Sequence, residues 1–178
     1  MSDIQISALA PHHERSSFSC GVEALDRYIV QQASQDQRRN VARLFVATSR
    51  QSQAVIGYYS LSSASVQLRS LPEALARRLP RYPEVPCVLI GRLAIDRAHQ
   101  GSGLGAKLLR DALQRILAWQ TEIGVWAVLV DAIDERAAEF YMRFGFHRFE
   151  DEADRLFIPL ASVRQALSPG ESGEQRAP

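Results

Sequence analysis

At 178 residues and 19.9 kDa, with 46% hydrophobic content, the chain is too long for a disulfide-stapled miniprotein and too short for two ordinary domains. Two cysteines, Cys20 and Cys87, exclude a disulfide framework and a zinc cluster and read as reduced thiols, and no segment approaches the ~20 apolar residues of a membrane span. One cytoplasmic globular domain is expected over 1–167, with no membrane contact and no metal. The net charge of +1 hides an asymmetry: up to Ala118 there are 15 basic against 9 acidic residues, and 6 against 11 afterwards. Of the 21 cations, 20 are arginines, the better fork for phosphate.

In chain order, Ile4 to Leu9 reads as a short strand. Cys20-Gly21 opens a helical pattern carried by Val22, Leu25, Tyr28 and Ile29 and fading toward Arg39. Leu44–Ala47 and Val55–Leu61 read as an antiparallel hairpin joined by the polar turn Ser49–Ser52. A short helix is expected over 69–82, bounded by Pro80 and Pro83, and Cys87–Ile95 is a third long strand. Leu104, Leu108, Leu109, Ala112, Leu113, Ile116 and Leu117 then mark one face of a helix that Gly124 closes. The unbroken apolar run Val125–Val130 is a strand covered on both faces, so strand, helix and strand form a right-handed parallel crossover. A second helix spans Asp134 to Arg143 and stops at Gly145, and Arg155–Leu160 is the last strand. The tail from Ser168 to Pro178 has almost nothing to bury and reads as disordered. An antiparallel hairpin combined with a parallel crossover makes the fold α/β with a mixed central sheet flanked by helices.

Chemistry concentrates where the third strand becomes the regular helix. Gln100-Gly101-Ser102-Gly103-Leu104-Gly105 strips side chains from a turn whose amides point outward, and the helix dipole adds positive charge there. That is a phosphate cradle. A dinucleotide fold fits poorly, because Asp96–Gln100 separate the strand from the first glycine and fewer than 50 residues follow Asp131. A CoA pyrophosphate fits better. Along the second helix, Asp134, Ala137, Ala138 and Tyr141 share one face, with small alanines leaving room for a ligand. Two basic clusters precede the loop: Arg38, Arg39 and Arg43, then Arg69, Arg77, Arg78 and Arg81. Taken alone, they are equally a solvated face or an RNA contact. His12-His13 has no third ligand at metal spacing.

These motifs resemble the GNAT superfamily of N-acetyltransferases. The loop matches its acetyl-CoA signature, and Phe140-Tyr141-Met142-Arg143-Phe144-Gly145-Phe146 matches its tyrosine helix. Phe18-Ser19-Cys20-Gly21, Leu25-Asp26-Arg27-Tyr28, Gly57-Tyr58-Tyr59-Ser60-Leu61, Leu79-Pro80-Arg81-Tyr82-Pro83 and Gly91-Arg92-Leu93-Ala94-Ile95-Asp96 are similar to its toxin branch, found in bacterial toxin-antitoxin pairs. The resemblance spans about residues 18 to 160 and implies the GNAT-like acyl-CoA N-acyltransferase fold. It implies Tyr141 as the acid for the departing thiolate. Acetyl-CoA would lie on the backbone of Leu93, Ala94 and Ile95, on Gln100 through Ala106, and beside Asp134 and Ala137. Many relatives carry Asn where Asp134 stands, and the extra charge argues against a direct cofactor contact there. The resemblance also implies an aminoacyl-tRNA acceptor bound by Arg38, Arg39, Arg77, Arg78 and Arg81, and a neutralising ribbon-helix-helix antitoxin. A homodimer is compatible with it. No residue stands out as general base, and an α-amine, with a pKa near 7.7 to 8.0, needs little help. A GNAT acting on a small amine or a protein N-terminus, and a non-catalytic acyl-CoA-binding module, remain the alternatives.

Overall fold

The structure is a computed structural model that describes residues 4–168. Its elements are β1 (Ile4–Ala8), α1 (Glu23–Arg27), α2 (Ala33–Arg38), β2 (Arg43–Ser49), β3 (Val55–Gln67), α3 (Glu73–Ala76), β4 (Glu84–Ile95), α4 (Leu104–Trp119), β5 (Ala127–Asp131), α5 (Glu135–Arg143), β6 (His147–Arg148), β7 (Arg155–Pro159) and α6 (Leu160–Leu167). A turn of π geometry, Tyr28–Gln32, joins α1 to α2. The seven strands form one sheet in the order β1-β2-β3-β4-β5-β7-β6. Every pairing is antiparallel except β4 with β5, the two strands that flank α4.

The expected strands and helices are present, with differences of extent. Neither Cys20 nor Gly21 is helical; the first helix begins at Glu23. The expected helix over 69–82 shrinks to the four residues of α3, preceded by a tight 3-10 turn at Leu68–Ser70. Strand β3 runs six residues beyond Leu61, through an alternating small-residue stretch with Val66 buried. Helix α4 ends at Trp119, ahead of Gly124. Strand β6 and helix α6 have no counterpart among the expected elements. The tail expected to be disordered lies outside the described residues, apart from Ser168, which follows α6.

Three apolar clusters set the layers. On one face of the sheet, here the near face, Leu104, Leu108, Leu109, Ala112 and Ile116 of α4 pack with Ala138 and Tyr141 of α5 and Leu160 and Val163 of α6. The opposite, far face carries two separate clusters. Tyr28, Ile29 and Ala33 of the α1–α2 layer cover Leu44, Val46, Tyr58 and Ala94. Leu71 and the half-buried Leu68, Leu75 and Leu79 of the α3 segment cover Val66, Val85, Cys87 and Leu129. The free thiols Cys20 and Cys87 lie in different far-face layers. Among the described residues, no helix is long and apolar enough to cross a membrane.

Candidate active site

The central feature is a split in the sheet. Strand β4 pairs with β5 only from Cys87 to Ile90 and then runs on from Gly91 to Ile95 with no neighbour on that side. The parting coincides with a bulge: Ser60 pairs with Arg92 and Leu61 with Ile90, so Gly91 is the extra residue. Bulges bend a strand and raise its twist, which here turns β4 away from β5. A Cβ on Gly91 would stand 3.1 Å from Ser60 Oγ, a tight approach that the Ser60 side chain would have to relieve.

Antiparallel alternation decides which amides face the slot. The Asp96 amide donates to the Ile56 carbonyl, so residues 92, 94 and 96 direct their N–H groups toward β3, and the amides of Leu93 and Ile95 point into the open side. The Ile95 carbonyl, which accepts from Gln100 Nε2 at 3.0 Å, confirms that direction. Of the three residues expected to offer backbone groups, Ala94 therefore turns its N–H to β3 and buries its methyl in the far-face core.

At the end of β4 the glycine loop leads into α4. Gly101 and Gly103 have φ of 74° and 84°, and a Cβ on either would meet nothing within 4 Å. The loop is thus a left-handed turn with open space above its amides at the α4 N-terminus, a geometry that fits a pyrophosphate. Leu104 anchors α4 in the core, so only its backbone is available. Gly105 differs from its loop neighbours: it lies within α4, and a Cβ there would make an ordinary 3.6 Å contact with the ring of Phe140 on α5. Ser102 Oγ donates to the His99 carbonyl.

Sequence reasoning missed the clasp that holds this loop. Gln100 Nε2 also donates to the Cys20 carbonyl at 2.8 Å, the Arg97 amide donates to the Ser19 carbonyl at 2.8 Å, and Asp96 Oδ2 accepts from the Ser19 amide at 3.0 Å. Asp26 in turn accepts from the Cys20 amide at 2.7 Å. Partners about 80 residues apart leave no local spacing signal. Also unanticipated is a cleft of about 580 Å³ between α4, the end of α5 and α6, where Lys107, Arg110 and Arg143 rim an apolar lining that includes Leu113, Val163 and Leu167.

Tyr141 lies on α5, which Asp134 caps by accepting from the Ala137 amide at 2.8 Å. Capping occupies the Asp134 carboxylate and accounts for its presence without a ligand. Ala137 is half-buried against the near-face core. The Tyr141 ring is 6% exposed and packs on Phe140 and Phe146. Its hydroxyl makes no hydrogen bond to a described residue. Burial first, and then the nearby Asp131 carboxylate, push its pKa well above the usual tyrosine value, so it stays protonated at physiological pH.

The basic clusters are not joined: Arg38–Arg39 and Arg69–Arg81 belong to separate far-face layers, while Arg43 alternates with the near-face residues Phe45 and Ala47 of β2. Arg38 and Arg39 end α2, and Arg43 pairs with Leu61 in the row where β4 and β5 part. Arg69, Arg77 and Arg81 line an open cleft of about 1360 Å³ with Tyr82, while Arg78 is exposed outside its lining. Arg77 pairs with Glu73. From Gly91 back to Glu84 is about 20–25 Å of strand.

With this geometry, comparison with known proteins becomes specific. Residues 12–146 match the acetyltransferase (GNAT) family. A Sinorhizobium fredii protein named "Probable toxin TacT" is 31% identical over 170 residues, covering 91% of this chain and 94% of that one. A tRNA-acetylating toxin of Mycobacterium tuberculosis is 40% identical over 152 residues, covering 85% and 89%. Among solved structures, AtaT complexed with acetyl-methionyl-tRNAfMet superposes with a TM-score of 0.86 at 28% identity, covering 92% of this chain and 99% of that one. A variant of AtaT bound to the C-terminus of the antitoxin AtaR and acetyl-CoA gives 0.79 at 26% identity, covering 94% and 99%. On sequence and architecture alike, the chain belongs to the GNAT family of acetyltransferases.

Proposed function

We propose that the protein transfers acetyl from acetyl-CoA to the α-amino group of an aminoacyl-tRNA in the cytoplasm, stopping translation, and that a cognate ribbon-helix-helix antitoxin neutralises it. The observation that carries the chemistry is the β4–β5 slot, with the glycine loop at its mouth and an unpartnered, protonated tyrosine beside it. The amides of Gly101–Gly105 hold the pyrophosphate, and Lys107, Arg110 and Arg143, at the rim of an otherwise apolar cleft along α4, pair with the phosphates of the nucleotide end. Bound acetyl-CoA supplies the acetyl group as a thioester. The Leu93 or Ile95 amide donates to the carbonyl oxygen as the N–C bond forms. Tyr141 gives its proton to sulfur as the C–S bond breaks, and the proton shed by the amine restores the hydroxyl through water.

The acceptor assignment rests on the named substrates of the relatives and on the exposed arginines of both far-face layers. The antitoxin assignment rests on the AtaT complex with the AtaR C-terminus. The test is transfer of labelled acetyl by the purified chain to charged tRNA, uncharged tRNA and a small amine. Labelling confined to charged tRNA and lost on deacylation supports the reading; equal labelling of the small amine returns the protein to the small-amine class.

A further inference from the structure

Arg92 is the one charged side chain that the bulge delivers to the far side of the slot. Below the bulge, Val85, Cys87 and Leu89 face the far layers, and Val88 and Ile90 face α4. The extra residue resets the alternation, so that Leu93 and Ile95 face α4 while Arg92 and Ala94 face away. The Arg92 guanidinium lies over the Tyr28 ring, 3.6 Å from its centroid. Tyr28 is itself fixed: its hydroxyl donates to Asp36 Oδ2 at 2.8 Å, and Gln32 Nε2 donates to the other oxygen at 2.9 Å. Tyr28 and Gln32 open and close the π turn, an irregularity that recurs at functional sites. Among the described residues, no hydrogen bond or close ion pair engages the guanidinium; the Asp36 carboxylate attracts it from a distance, and its donors, oriented by stacking, can still turn to a ligand.

Position supplies the rest. Cofactor reaches the slot from the near face, where the glycine loop and α4 stand, so the acceptor amine must meet the acetyl group from the far face. There the bulge, where buried Ser60 pairs with Arg92, lies between the two helical layers, with Arg38 and Arg39 ending the layer on one side and Arg69, Arg77 and Arg81 in the layer on the other.

We infer that Arg92, stacked on Tyr28, binds the phosphate of the acceptor's terminal nucleotide and so aims the esterified amino acid at the slot from the far face. This rests on the aminoacyl-tRNA reading and adds to it a residue that distinguishes a nucleotide-borne amine from any other. The acceptors that test it are 3′-aminoacylamino-adenosine with and without a 5′-phosphate, together with a free amino acid and charged tRNA. For the wild type, kcat/KM favours the phosphorylated nucleoside, chiefly through KM. Arg92→Met brings the ratio of phosphorylated to unphosphorylated kcat/KM down about 10- to 100-fold, the scale of a lost charge-assisted bond. Arg92→Lys, which keeps charge but not the planar fork, falls between. Unchanged thermal stabilisation by acetyl-CoA shows that both variants are folded. A phosphate preference that survives Arg92→Met overturns the inference, as does a free amino acid whose acetylation depends on Arg92 more steeply than that of the nucleotide. If the wild type acetylates neither nucleoside nor charged tRNA but does acetylate the free amino acid, the aminoacyl-tRNA reading fails first, and this inference with it.

Discussion

Gly103 and Gly105 are two residues apart yet meet different requirements, and alanine at each position separates them. Gly103 precedes α4 with φ 84° and ψ 1°, a left-handed conformation that costs an L-residue about 1–2 kcal/mol. Nothing lies within 4 Å of its Cβ position, so the whole penalty is backbone strain. For a domain of this size that is about 2–8 °C in Tm. Gly105 is helical and its Cβ position stands 3.6 Å from the Phe140 ring, an ordinary contact. Alanine there gains up to about 1 kcal/mol of helix propensity. Acetyl-CoA at a hundred times its Kd stabilises the wild type by about 2.7 kcal/mol, which is about 5–11 °C. Scanning fluorimetry with and without acetyl-CoA is the assay. Gly103→Ala is expected to melt below the wild type and to lose most of the ligand shift, because its methyl occupies the open space above the loop. Gly105→Ala is expected to melt, unliganded, at or above the wild type. A Gly103→Ala protein that melts with the wild type and keeps the full shift refutes the account of the loop.

Tyr141→Phe keeps the packing against Phe140 and Phe146 and removes only the proton, so transfer falls about 100-fold or more while the acetyl-CoA thermal shift persists; near wild-type turnover would make Tyr141 a packing residue. Replacing Arg77, Arg78 and Arg81 with Glu is expected to weaken transfer to charged tRNA steeply and to flatten its salt dependence, since fewer counterions are released on binding; kinetics at two salt concentrations measure it, and an unchanged slope makes the cluster a solvated face. Stability is expected to fall on the alkaline side. Burial raises the Cys87 thiol from 9.0 to about 11 and Tyr28 from 10.0 to about 12, and also raises Tyr58 and Tyr59. Each folded value exceeds its unfolded one, so this stabilisation is complete below about pH 9 and drains away as pH rises toward 11 and beyond, by at most about 1.4 kcal/mol per pH unit for each buried group. Urea midpoints at pH 8, 9, 10 and 11 follow it, and a flat profile would contradict the burial of these groups.

What is legible in the sequence is whatever repeats on a local period. The α4 stripe from Leu104 to Ile116 and the apolar β5 run are patterns within one element, and the glycine loop is a composition that only a few backbones need. The misplaced pieces depend on contacts instead. Ser62–Gln67 carries little apolar content, and its strand exists because β4 pairs with it residue by residue down to Glu84. Helix α6 begins directly after Pro159, so its start reads as part of the preceding strand. Between Pro72 and Pro83 the prolines admit only one helical turn. The Ser19–Cys20 clasp has a cue in the Phe18-Ser19-Cys20-Gly21 motif, but its partners at Asp96, Arg97 and Gln100 are visible only in the fold.

Gly91 does carry a signal, since an isolated glycine within a strand pattern marks a bulge or a close approach. Its consequences reach both substrates. Were β4 regular, residue 92 would share the near face with Ile90, placing a guanidinium in the apolar layer under α4, and Leu93 would turn outward. The slot itself also depends on β5, which ends at Asp131, one residue past the partner of Ile90. The end of β5 leaves the Leu93 and Ile95 amides unpaired at the opening, and the inserted residue sends the arginine to the side from which the amine must come. Glycine suits that position because a Cβ there would stand 3.1 Å from Ser60 Oγ, close enough that the Ser60 side chain would have to shift.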